Sequence, residues 1–301
     1  MLKLSTTVEP GRLDISLGFQ DRIMVLGSCF ADNIGAKLSD AGFSVCVNPF
    51  GTLYNPVSIA NAAARLGAAA KAGLKDAGAA GFTSEDCVQM GAGAGLVCSW
   101  WHHTRFARGS EKEFLDNANK ELAEASEFWK GCNKVIVSLG TAKVWRLVES
   151  GEIVANCLKR PASEFSHEML DLRQIAAVLE RLVESNPDKE FIFTISPIRH
   201  LAEGAHENTL SKARLHLALE QVLAKEHGRN SCAYFPAFEI LLDELRDYRF
   251  FAEDLVHPSS LAVDIIWQKF MESAIPDELH GQLRLNEKAS RRNLHREILH
   301  R

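Results

Sequence analysis

Five short apolar runs, Arg22 to Leu26, Phe43 to Val47, Lys134 to Leu139, Phe191 to Ser196 and Cys232 to Phe235, constrain this chain more than any other feature. Each is bounded by turn residues and rich in Val, Ile and Phe with little polar alternation, which is how a strand reads when both of its faces are buried. Stretches of helical periodicity lie between and after them, at about residues 32–41, 111–129, 167–185, 207–227, 238–245 and 259–273. A strand buried on both faces needs helices above and below it. The alternation therefore predicts an α/β fold, a three-layer α/β/α sandwich around a mainly parallel, flavodoxin-like five-stranded sheet. Ligands of such domains sit beyond the C-terminal ends of the strands, and Ser28, Gly140 and Pro197 all fall just past such an end.

The chain has 301 residues, 46% of them hydrophobic, enough to bury one large core. We expect a single domain over residues 1–275 with an insertion at about 56–132, followed by a basic, helical tail over 276–301. The crossover from the second strand to the third, Asn48 to Asn133, is long enough to carry a subdomain or lid, and its middle is rich in Ala and Gly. In the tail, Lys288, Arg291, Arg292, Arg296 and Arg301 outnumber Glu287 and Glu297, and Leu285, Ala289, Leu294 and Ile298 form an imperfect apolar stripe, the pattern of a solvated terminal helix. A net charge of -5 argues against nucleic acid as a partner, because that affinity rests on lysine and arginine. The seven cysteines are scattered, with no C-x-x-C pair, so they read as reduced thiols and not as a disulfide framework or a metal site. The N-terminus lacks the apolar stretch of a secretory signal and no run approaches the roughly 18 apolar residues of a membrane span, so a cytoplasmic protein is expected.

Two segments carry chemistry. In Gly27-Ser28-Cys29-Phe30-Ala31 a serine stands where an apolar strand stops and a helix begins. Gly27 lets the chain turn sharply, and the helix that follows aims backbone N–H groups at the same space, where they can hold a developing oxyanion. A serine hydroxyl is a weak nucleophile until a base takes its proton. Asp254-Leu255-Val256-His257-Pro258 offers that base. Pro258 suits the first position of a helix, leaving His257 at its edge, and Asp254 can accept the Nδ1–H and leave Nε2 free to face Ser28. Cys29 raises the alternative of a thiol nucleophile, but consecutive side chains point in different directions, so only one of the pair can face His257. The cluster Trp100-Trp101-His102-His103 reads as a packed insertion more readily than as a sugar-stacking cleft.

Taken together, Gly27-Ser28-Cys29-Phe30-Ala31, Asn48-Pro49-Phe50-Gly51-Thr52-Leu53-Tyr54-Asn55-Pro56, Ser138-Leu139-Gly140-Thr141-Ala142, Ala155-Asn156-Cys157, Ser196-Pro197-Ile198-Arg199-His200 and Asp243 to Phe250 resemble the GSCFA family over about residues 20–270. That family looks like a branch of the SGNH, or GDSL-like, hydrolases, which share a flavodoxin-like sheet and a Ser-Asp-His site and act as esterases, lipases or O-acyltransferases, often on acylated sugars. The resemblance implies Ser28 as nucleophile in preference to Cys29, His257 as base and Asp254 as its orienting partner. It also implies an oxyanion hole formed by the N–H groups of Ser28 and Gly51. The superfamily's Gly-x-Asn block is Gly140-Thr141-Ala142 here, so the third donor falls to Thr141, Asn55 or Asn156. A second departure is Leu158, where the family pattern Asn-Cys-His-Lys has histidine. Tyr54, Gly140, Arg199 and His200 are the expected substrate-binding residues. The implied activity is hydrolysis of a small-molecule or glycan O-acyl ester through an acyl-enzyme, with no metal and no cofactor. The alternatives are O-acyl transfer to a sugar, with acyl-CoA as a possible donor, and a silent glycan-binding protein.

Overall fold

The computed structural model describes residues 6–72, 81–91, 93, 95–225 and 232–299, and of 293–299 the backbone alone. Residues 226 and 227 of the helix expected over 207–227, Ala92 and Ala94 of the Gly-Ala run, and Arg301 of the tail lie outside the described residues. So do the side chains of Leu294, Arg296, Glu297 and Ile298.

The first strand, β1 (Arg22–Gly27), leads into α1 (Cys29–Asp40) and then β2 (Ser44–Val47). The expected start of α1 at residue 32 moves to Cys29 because Ser28 caps the helix, its hydroxyl accepting the N–H of Phe30. The long crossover follows with α2 (Pro56–Ala72), a two-residue hairpin of β3 (Val88–Gln89) and β4 (Val97–Cys98), and α3 (Glu111–Lys130). Next come β5 (Lys134–Leu139), an antiparallel trio of β6 (Lys143–Leu147), β7 (Ile153–Val154) and β8 (Phe165–Met169), then α4 (Leu172–Glu184) and β9 (Glu190–Ile195). The chain continues through α5 (Ala205–Leu223), β10 (Cys232–Tyr234), a helical segment α6 (Ala237–Glu239) extended by the π turn Ile240–Leu245, α7 (Ser260–Ala274) and α8 (His280–Leu299). Among the described residues no helix is long and apolar enough to cross a membrane.

The main sheet runs β10-β9-β5-β1-β2 with every pairing parallel, flanked by helices on both faces, as expected for a three-layer sandwich. Period-two alternation divides its apolar side chains between two cores. From β1, Met24 and Leu26 join Leu66, Phe114, Leu179 and Leu219 on the face covered by α2, α3, α4 and α5. Ile23 and Val25 join Phe30, Leu38, Ile240 and Trp267 on the face covered by α1, α6 and α7. Right-handed crossovers account for the division: the chain winds outward from β1 to β2, then returns past β1 and winds the other way through β5, β9 and β10. The reversal lies between β1 and β5, and its carboxyl ends open a crevice there.

The antiparallel trio departs from the sequence reading, which placed a helix from residue 167. Phe165–Met169 instead pairs with Lys143–Leu147, and α4 begins only at the capping box of Asp171 and Gln174. The long crossover packs into the domain: Phe82, Val97, Cys98 and Phe106 share a core with Met24 and Leu26. His102 is fully buried and hydrogen bonds Ser99 Oγ, with Phe50, Phe82, Phe106 and Phe114 around its ring. Leu158 is also fully buried in this core.

Candidate active site

Gly27 sets the geometry at the end of β1. Its φ of +136° is open to glycine, and a Cβ there would lie 2.2 Å from the carbonyl oxygen of Ser138 on β5. Its N–H donates to Asn48 Oδ1, and its carbonyl accepts the N–H of Leu53, so the β2–α2 loop is tied onto the strand end. That loop in turn receives the end of β5, since Tyr54 O accepts the N–H groups of both Gly140 and Thr141.

The two residues after Gly27 separate as alternation requires. Ser28 is fully buried. Its hydroxyl lies 3.1 Å from Ser138 Oγ and accepts the Phe30 N–H, and its own N–H donates to Ser138 O. Cys29, the first residue of α1, is partly exposed, and its Sγ lies 3.4 Å from the Tyr54 hydroxyl. Thr52 Oγ1 meets the same hydroxyl at 3.3 Å. Burial first, then the neighbouring Cys29 thiol, raises the Tyr54 phenol to about 12 and keeps it protonated.

On the opposite side, Asp254 Oδ2 lies 2.6 Å from His257 Nδ1. Its other oxygen accepts the N–H groups of Val256 and His257, and these backbone bonds, with the imidazole, hold the carboxyl down at about 2. An ionised Asp254 fixes the tautomer of His257 and leaves Nε2 to the cleft. Leu255, at φ +57°, makes the turn that folds this loop back, and Arg199 donates to its carbonyl through the guanidinium while its own N–H donates to Val256 O. Arg199 also lies over the ring of Phe251, so it braces the His257 loop. Ser28 and His257 are not hydrogen bonded to each other; the bonds of Ser28 Oγ go to Ser138 and Phe30.

Between these sides lies a cavity of about 340 Å³ lined by Tyr54, Thr141, Trp145, His167, His200 and His257, among others. His200 packs edge-on against Tyr54, and burial, then Lys212 and His257, push its imidazole down to about 4, so it is neutral at pH 7. Lys212 is completely buried, with Nζ donating to Gly140 O at 2.7 Å and Ser196 O at 2.6 Å. One cation thus joins the carboxyl ends of β5 and β9. Burial lowers its pKa to about 7.

The expected oxyanion donors are brought to this end of the sheet but are engaged within the protein. Gly51 N–H donates to Asn48 O, and the Asn55 side chain caps α2 through Ser58. Asn156 bridges His102 O and the Leu158 N–H, and Thr141 Oγ1 meets Ser211 Oγ and the Lys143 N–H. The N–H of Cys29, at the head of α1, has no partner among the described residues.

One wall was not foreseen from sequence. Trp145 of β6 and His167 of β8 are cross-strand partners, and their rings stack at 4.0 Å. His167 Nδ1 lies 2.6 Å from Glu203, which also pairs with Lys143. Trp145 and His167 are 22 apart in sequence and meet only through the β6–β8 register, and Glu203 reaches them from the segment after β9, so no local motif announces them.

No curated protein and no solved structure matches this chain. The model of the GSCFA family matches residues 22–270, from β1 into α7, and the chain therefore belongs to the GSCFA family.

Proposed function

We propose that this protein is an acyl hydrolase that cleaves esters at the crevice between β1 and β5. Family membership is in keeping with a hydrolase-like enzyme. The observation that carries the reading is the His257–Asp254 pair, joined by a 2.6 Å hydrogen bond, with His257 lining a cavity whose wall also includes Tyr54, the partner of Cys29 in the Gly27-Ser28-Cys29 turn. In this reading the turn supplies the nucleophile, the role expected of Ser28, and His257 Nε2 takes its proton as it attacks the ester carbonyl. The proton then passes to the leaving alcohol, and water, deprotonated by the same imidazole, resolves the acyl-enzyme. Trp145 stacked on His167 offers an aromatic face to the substrate, which favours a sugar or other flat alcohol over a bare acyl chain.

The test is hydrolysis of p-nitrophenyl acetate and of acetylated monosaccharides by the wild type and His257→Ala. Removal of the base lowers kcat/KM by about 10²–10⁴ if the reading is right. Equal turnover by the two proteins sinks it. A product that forms only when a free sugar is added would assign acyl transfer to that acceptor in place of hydrolysis.

A further inference from the structure

Resting on the acyl-hydrolase reading above, we infer that its attacking atom is the sulfur of Cys29 and that Ser28 is a structural residue buried behind it. The two side chains leave the same turn in opposite senses. Ser28 is fully buried, and its hydroxyl is enclosed by Ser138 Oγ and the N–H of Phe30. Reaching the cavity would break both bonds and uncap α1, at a cost of about 1 kcal/mol for the cap alone. Ser28 Oγ also faces the interior on the α1–α7 side: Ser138 borders a small void with Phe30, Ile136, Thr194 and Phe270.

Cys29 has the opposite surroundings. It is partly exposed, and its sulfur meets the hydroxyl of Tyr54, whose ring belongs to the same cavity wall as His200 and His257. As the first residue of α1 it sits at the helix end whose N–H groups lack intrahelical partners and can face the carbonyl oxygen of a bound ester. Tyr54, kept protonated, is placed to donate its O–H to that sulfur. Burial raises the thiols of Cys46, Cys98, Cys132 and Cys232 above their ordinary range, which suits structural roles.

The chemistry balances with the groups present. His257 Nε2 takes the thiol proton, the thiolate sulfur forms a bond to the acyl carbon, and the bond from that carbon to the leaving oxygen breaks. The proton goes to the leaving alcohol. Water then attacks the thioester with its proton passing to His257, the carbon–sulfur bond breaks, and the thiol is restored as the acid departs. The N–H of Cys29 is available to the carbonyl oxygen throughout, which supplies one donor that Gly51, Asn55 and Asn156 do not.

The experiment is acid-quenched p-nitrophenyl acetate on the full chain, with the acetyl group located by peptide mass spectrometry, in wild type, Ser28→Ala, Cys29→Ala and His257→Ala. Expected is acetyl on Cys29 of the wild type, released by neutral hydroxylamine as a thioester is, retained in Ser28→Ala and lost in Cys29→Ala and His257→Ala. Acetyl on Ser28, or turnover undiminished in Cys29→Ala, overturns the thiol assignment while leaving the acyl-hydrolase reading standing. No acetyl on either residue together with no turnover overturns both. Mapping the wild type decides between the residues even where a variant does not fold.

Discussion

Lys212 offers a prediction whose size follows from the structure. Its ammonium is completely buried and held by two backbone carbonyls, Gly140 O and Ser196 O. Desolvation disfavours the charged form and lowers its pKa from 10.5 to about 7. Between those values the unfolded chain holds a proton that the folded protein has released. Stability therefore rises with pH across this window, and the burial penalty is full only below pH 7. For one such group, linkage gives a gain of about 2 kcal/mol between pH 7 and pH 9. Lys212→Met keeps the length of the side chain and removes the proton. The loss of the two carbonyl bonds does not depend on pH, and His200, which Lys212 helps to lower to about 4, is neutral at both pH values, so the comparison isolates Lys212. The assay is urea unfolding followed by tryptophan fluorescence at pH 7 and pH 9, on wild type and Lys212→Met. Relative to the variant, the wild type is expected to gain about 2 kcal/mol at the higher pH. A gap between the two proteins that stays constant within about 0.5 kcal/mol would refute the argument, because it would mean that Lys212 titrates alike in the folded and unfolded chains.

Asp254→Asn is expected to lower kcat/KM on p-nitrophenyl acetate by about 10²–10⁴, because the amide cannot hold His257 in the productive tautomer. The Asp254 carboxyl, lowered from 3.8 to about 2, orients His257 at all pH values above that and fails only as pH falls through it. A rate profile whose acid limb near pH 4 disappears in the variant would contradict this. Gly27→Ala is expected to destabilise by about 3 kcal/mol or more, since it combines a positive φ with a Cβ 2.2 Å from Ser138 O; a urea midpoint equivalent to less than about 1 kcal/mol of loss would show that the β1–β5 junction yields easily.

The local signals in the chain carried most of the fold. Apolar runs bounded by turns located all five strands of the main sheet, Lys134–Leu139 to the residue, because a strand buried on both faces leaves no polar alternation to blur its limits. The spacing of Asp254 and His257 was legible for a similar reason: a carboxylate three residues before an imidazole can close onto it within one turn, and the 2.6 Å bond is that closure. What depended on side-chain direction at a single turn was less accessible. Ser28 and Cys29 are neighbours, and the resemblance favoured Ser28; only the packing of β1 against β5 turns its hydroxyl inward to Ser138 and leaves the sulfur of Cys29 beside Tyr54.

Long-range register decided the rest. Trp145 and His167 stack because β6 and β8 pair antiparallel, and neither segment is apolar or long enough to declare itself as a strand. Lys212, on α5, joins the ends of β5 and β9 only after both strands have been laid down, so its burial against two backbone carbonyls is invisible until the core closes over it. Sequence by itself determined the layered architecture, the five strands of the main sheet and the pairing of Asp254 with His257, because these rest on periodicity and on contacts within a few residues. The tertiary structure alone decided which of Ser28 and Cys29 is buried against Ser138 and which meets Tyr54, which donors are already spent within the protein and what walls the cavity, because those depend on strand ends brought together from distant parts of the chain.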